Sequence, residues 1–133
     1  MASFMKKVPT LTSETNYAQY GSWKVDLGAY MSKNDMQAWS SLDLAKMPDE
    51  YPSDPDVTGY DDMCKRFKSR FGIDDEYEFE GNSEKAWAVL HEATRPAPDL
   101  NRVVSLHKGE FKKAFAALEQ HVTGNLSTAS RNM

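Results

Sequence analysis

Between Leu100 and Val122 one stripe of side chains constrains this chain more than any other feature. Leu100, Val103, Val104, His107, Phe111, Ala114, Phe115, Leu118 and Val122 recur every three or four residues. At helical pitch they fall within about a third of the wheel. A stripe of that width has to be covered by other elements, and helices of matching pattern elsewhere in the chain are the natural cover. Asp99 is placed to cap this helix and Gly124 to stop it. Gly109 falls on the opposite, solvent-facing side, where it costs roughly 1 kcal/mol against alanine but removes no packing contact. The spacing predicts one long helix to about Val122, with a bend at Gly109.

Four further helices are expected upstream. The first begins near Ser13 to Asn16 and carries Tyr17, Tyr20, Trp23, Leu27, Tyr30 and Met31 on one arc. A short second helix, capped by Asn34 or Asp35 with Ser32 as the alternative, carries Met36, Trp39 and Leu42. From Pro48 to Gly59 the chain holds three prolines, four acids and a glycine, which reads as a loop. Tyr60, Met63, Cys64, Phe67 and Phe71 then define an amphipathic third helix stopped by Gly72. Ile73 to Gly81 alternates acids with Tyr77 and Phe79, but a lone strand would have no partner, so a loop is expected. Asn82 caps the fourth helix, with Glu84 in its first turn. Its Ala86, Trp87, Leu90 and Ala93 face inward before Pro96 and Pro98 end it. The fold class expected is all-α: a compact bundle of about five helices with a long acidic, proline-rich loop. Residues 1–12 are expected to form an N-terminal arm, 13–124 a single helical domain and 125–133 a flexible polar tail.

A chain of 133 residues, 40% hydrophobic and 27% charged, fits one ordinary globular domain. It can bury roughly two-thirds of its unfolded surface, enough for a core without staples. The single cysteine, Cys64, cannot form an internal disulfide. The N-terminal stretch has no apolar run of the secretory kind, and no window approaches the ~20 apolar residues of a membrane span. The expectation is a cytoplasmic protein, or one held within a virion or virus-like particle.

A net charge of −4 argues against a dedicated nucleic-acid binder. The charges nevertheless come in blocks. Seven acids and one lysine lie between Asp43 and Asp62; Lys65, Arg66, Lys68 and Arg70 follow; then come Asp74, Asp75, Glu76, Glu78 and Glu80. The four cations on the third helix are the candidate contact for nucleic acid or a partner. Salt bridging to the acidic segments on either side is the commoner fate of such a set. No aromatic is interleaved with them to stack a base.

No catalytic or metal motif is present. His91, His107 and His121 are scattered rather than set at ligand spacing, so no metal and no cofactor is expected. His107, in mid-stripe, reads as a buried, hydrogen-bonded histidine, and His121 as a cation favourable to a helix C-terminus. Cys64 reads as a small core residue. Asp61–Asp62 and Asp74–Asp75 read as caps and solubilisers rather than a paired-carboxylate site. Trp23, Trp39 and Trp87 read as core anchors.

The stretch from Val8 to Trp39, VPTLTSETNYAQYGSWKVDLGAYMSKNDMQAW, resembles the start of Gag polypeptides of copia-type LTR retrotransposons. The matching residues are Leu11, Asn16, Tyr17, Trp23, Lys24, Tyr30 and Trp39. Ser83 to Glu92, with Trp87 and Leu90, is similar to a later helix of that family. The spacing between Asn-Tyr and Trp is longer here, and neither a basic tail nor a zinc knuckle follows. The resemblance implies a capsid-like helical domain that self-assembles around RNA and catalyses nothing. The function expected is therefore a non-enzymatic assembly protein, a homo-oligomer or a binder of another protein, with RNA as a further partner and no membrane. The alternative is a small phage- or virus-encoded accessory protein, a virion component or an inhibitor that binds a host protein.

Overall fold

In the computed structural model, which describes residues 7–34, 36 and 39–131 (backbone alone at Tyr17 and 125–131), Asn16 starts the first helix with a reciprocal cap. Its side chain accepts from the Gln19 N–H at 2.8 Å, and the Gln19 side chain accepts from the Asn16 N–H at 2.9 Å. Two of the donors that a helix start leaves unpaired are satisfied in this way. Helix α1 then runs Tyr17–Lys33 and buries Tyr20, Trp23, Leu27 and Met31. Four more helices follow among the described residues: α2 Tyr60–Phe71, α3 Glu76–Ala93, α4 Pro98–Ser105 and α5 Phe111–Arg131. The all-α expectation holds, and so does the number of helices, but they are not the same five.

Among the described residues no α-helix takes the place of the short second helix, and Trp39 lies in a single 3-10-type turn. Asp35, one of its candidate caps, lies outside the described residues. The chain instead passes through turns, with the Trp39 N–H donating to Met36 O at 3.1 Å and the Leu42 N–H to Trp39 O at 3.2 Å. Met36, Trp39 and Leu42 are buried all the same. Spacing of three to four residues satisfies a buried turn as well as a helix when the anchoring is tertiary. Leu42 adopts a left-handed φ of 51°, held there by burial of its side chain.

Two boundaries also move. Helix α3 starts at Glu76, because the Asp75 carboxylate accepts from the Glu78 N–H at 2.7 Å and caps it. Phe79 therefore points into the core and Tyr77, 87% exposed, points out. Asn82, expected as the cap, sits inside the helix and donates to Glu78 O at 2.9 Å.

The long C-terminal helix is broken into α4 and α5 by a turn over residues 106–110, in which Gly109 has φ of 79°. His107 is accordingly half-buried in this turn rather than a buried core histidine. Helix α5 then continues through Gly124 to Arg131, so Gly124 does not stop it. Residues 132–133 of the expected tail lie outside the described residues. The Gly109 geometry reverses a sign. In a continuous helix, alanine at 109 would add about 1 kcal/mol of stability; at a left-handed position it should remove about 1 kcal/mol. Urea titration of Gly109→Ala, followed by circular dichroism, should show the lower midpoint.

The parts share one core, threaded by a run of aromatic rings. Tyr20 stacks on Trp23 (5.6 Å between centroids), Trp23 on Phe115 (6.4 Å) and Phe115 on Phe111 (5.7 Å). Phe111 meets Trp39 at 5.3 Å, Trp39 meets Phe79 at 5.7 Å, and Phe79 meets Phe67 of α2 at 5.8 Å. Residues 7–12 are strapped to this body: Leu11 is buried and donates its N–H to Ala93 O (2.8 Å), and Trp23 Nε1 donates to Pro9 O (2.9 Å). Residues 1–6 of the expected arm lie outside the described residues.

Candidate interaction surfaces

Helix α2 begins and ends on glycines in the left-handed region, Gly59 (φ 86°) and Gly72 (φ 68°). Asp61 and Asp62 occupy its first turn and Lys68 and Arg70 its last, so the charges oppose the helix dipole at both ends. It buries none of its residues fully. Tyr51, Phe71 and Phe79 ring Phe67, at 4.9, 5.8 and 5.8 Å, and hold the helix against the body. Cys64, expected as a small core residue, lies half-buried on this face, packed against the core rather than within it. Its hydrogen bond with Tyr51, together with burial, pushes the phenol up to about 12. Tyr51 therefore stays a donor, and its hydroxyl bonds Asp74 O at 3.0 Å.

Lys65, Arg66, Lys68 and Arg70 are all exposed. Salt bridging accounts for one of them: Lys68 Nζ lies 3.6 Å from Asp74 Oδ1, an exposed pair of small energetic weight. Lys65, Arg66 and Arg70 make no ion pair among the described residues. At helical pitch the set spans about 200° of the wheel, with Arg66 and Arg70 one turn apart on one flank. The cations fan around the helix rather than forming one narrow track.

A second surface was not apparent from the sequence. A groove of about 680 Å³ lies between the 48–53 segment, α3 and residues 108–113, where the turn leads into α5. Ser83 staples two of its sides: its hydroxyl donates to Gly109 O at 3.0 Å and accepts the Phe111 N–H at 3.1 Å, satisfying the first donor of α5. Lys112 closes the third side, donating to Met47 O (2.9 Å) and pairing with Asp49 (2.7 Å). Trp39, Phe79 and Phe111 form the apolar inner wall. Along α3, Glu76, Glu80 and Glu84 line the groove four residues apart. All three are exposed, and none has an ion-pair partner among the described residues. The one sequence signal for the groove is this spacing of four, which has meaning only because 76–81 is helical rather than the expected loop.

The remaining titratable groups have structural roles. Asp99, in the first turn of α4, accepts from Ser13 Oγ at 2.9 Å and lies 3.6 Å from His121 Nε2. Burial pushes its carboxyl up. The Ser13 hydroxyl, backbone N–H groups and His121 outweigh that and hold it below the ordinary range. His91 stacks on Trp87 at 4.9 Å, and Trp87 Nε1 donates to Val104 O at 2.9 Å, which joins α3 to α4. Among the described residues no set of three His, Cys, Asp or Glu is grouped to hold a metal ion. No described helix is long and apolar enough to cross a membrane. Compared with protein-family models, curated proteins and solved structures, the chain matches none of them.

Proposed function

We propose that this chain is a non-enzymatic helical assembly domain whose copies bind one another, with a capsid-like, Gag-type domain as its sharpest form. One observation carries the reading: Lys65, Arg66 and Arg70 stand exposed and unpaired among the described residues, on a helix that buries none of its own. The preceding segment presents Asp54 and Asp56, exposed and likewise without ion pairs there. Opposite charges on neighbouring elements of one surface are self-complementary when two copies meet, and they set register more than affinity. Val57, 48% exposed beside these acids, adds apolar area. The sharper form rests on the sequence resemblance. Its anchors Leu11, Trp23, Trp39 and Leu90 are buried in one core, with Asn16 as the cap of α1. The second reading, an accessory protein that binds a different protein, is favoured by the groove on α3.

Replacing Lys65, Arg66, Lys68 and Arg70 together with glutamate tests the proposal, since these exposed positions can change without touching the core. Sedimentation velocity should show loss of self-association in a variant whose circular dichroism is unchanged. Self-association that persists removes α2 from the interface. A fall in RNA binding by the same folded variant would assign the face to nucleic acid instead.

A further inference from the structure

We infer that residues 106–110 form a hinge that can straighten, so that two copies of this chain exchange α5 and pair as a domain-swapped dimer. The exchange uses none of the α2 charges, so the inference goes beyond the assembly reading.

Two independent observations meet at this hinge. The apolar stripe keeps helical phase from Leu100 through His107 to Val122, as though no break existed. The backbone nevertheless leaves α4 at Ser105, turns at Gly109 (φ 79°) and re-enters helix at Phe111, which lays α5 against α4. The residues of the turn do not require the break. Leu106, His107, Lys108 and Glu110 all accept a helix, and glycine alone disfavours it. By contrast, the connection from α3 to α4 carries Pro96 and Pro98, which stop a helix from running through.

Straightening costs few bonds. The Leu106 N–H already donates to Arg102 O with helical spacing (3.2 Å). The Phe111 N–H, held in the closed chain by Ser83 Oγ (3.1 Å), would find His107 O four residues back. A straightened chain carries α5 off its own core and leaves Trp39, Trp23 and Lys24 uncovered. The surface shaped to cover them is another copy's α5. Its Phe111 and Phe115 meet Trp39 and Trp23, and its Glu119 meets Lys24, as they do within one closed chain. The two hinges cross antiparallel at the two-fold axis, which gives Leu106, 74% exposed in the closed chain, an apolar neighbour in its own copy.

Tethering keeps a dilute chain closed. A short connection holds α5 near its seat at an effective concentration of the order of millimolar. Leaving that seat also opens the core, so a chain that has never been unfolded stays closed. Exchange is reached by refolding at high concentration.

The test is refolding from urea, at about 1 mM protein, of an equal mixture of ¹⁴N- and ¹⁵N-labelled chains, followed by carbodiimide coupling. Lys24 Nζ and Glu119 Oε1 lie 2.6 Å apart, so they couple within one chain when closed and between chains when exchanged. A species of twice the 15.0 kDa chain mass should form and yield Lys24–Glu119 peptide pairs of mixed label. It should withstand about 1 M salt and form equally well when Lys65, Arg66, Lys68 and Arg70 are changed to glutamate. Gly109→Ala strains the closed turn and favours the straight helix, so it should raise the dimer roughly tenfold or more. Leu106→Gly with Lys108→Gly, altered only at exposed positions, should lower it by a similar factor with the closed fold intact. Peptide pairs of single label in the dimer overturn the inference, even where a salt-labile dimer upholds the α2 interface. So does Gly109→Ala that forms no more dimer than the unaltered chain.

Discussion

Phe111→Ala should remove about 3–5 kcal/mol of stability, a large share of what a domain of this size possesses. Phe111 is fully buried as the first residue of α5, between Trp39 (5.3 Å) and Phe115 (5.7 Å). Truncation interrupts the aromatic run at its middle and leaves a cavity against two rings too large to collapse into it. The backbone staple to Ser83 does not depend on the ring, so the loss is one of packing rather than of capping. Thermal unfolding followed by circular dichroism should show a midpoint lower by roughly 10–20 °C. A drop of only a degree or two would mean that the Trp39–Phe111–Phe115 contact does not organise the core.

Gly28→Ala should cost about 2 kcal/mol net, although alanine is the better helix former by about 1 kcal/mol. Gly28 lies within α1, where a Cβ would run into the Ser40 carbonyl oxygen and come within 3.9 Å of Leu42 Cδ1. The obstacle is backbone, and it belongs to the turn that delivers Trp39 and Leu42 to the core. Relief requires moving that turn, and forced shifts of packed elements typically cost 1–3 kcal/mol or more. Gly21, on the same helix, has nothing within 4 Å of its Cβ position, so Gly21→Ala serves as the control and should stabilise. Equal effects at the two positions, read from urea midpoints, would contradict the close approach of α1 to the 39–42 turn.

The sequence made legible whatever depended on local pattern. Tyr20, Trp23, Leu27 and Met31 marked the buried arc of α1, and Gly72 ended α2 in the expected left-handed conformation. Elsewhere, tertiary anchoring imitated local signals. Met36, Trp39 and Leu42 are buried from turns, with helical spacing but, among the described residues, without an α-helix. The stripe from Leu100 to Val122 stays continuous across the break between helices because α4 and α5 cover the same core, so periodicity could not register the turn at Gly109. The alternation at 76–80 is equally compatible with a helix that buries Phe79 and exposes Tyr77; the Asp75 cap decides it. The cations of α2 were identifiable residue by residue, though not their scarcity of partners. The groove left no sequence signal beyond the spacing of four along Glu76, Glu80 and Glu84. Its walls come from segments near 50, 80 and 110, and no local pattern announces that three stretches so far apart will meet.

Multi-angle light scattering of the unaltered chain, over a range of protein and salt concentrations, tests the assembly reading most directly. Contacts set by exposed charge blocks weaken as the Debye length shrinks from about 30 Å at 0.01 M salt to about 3 Å at 1 M. The expected result is a mass well above 15.0 kDa at low salt that falls towards that value as salt is raised. A mass of 15.0 kDa at every salt and protein concentration would contradict self-association.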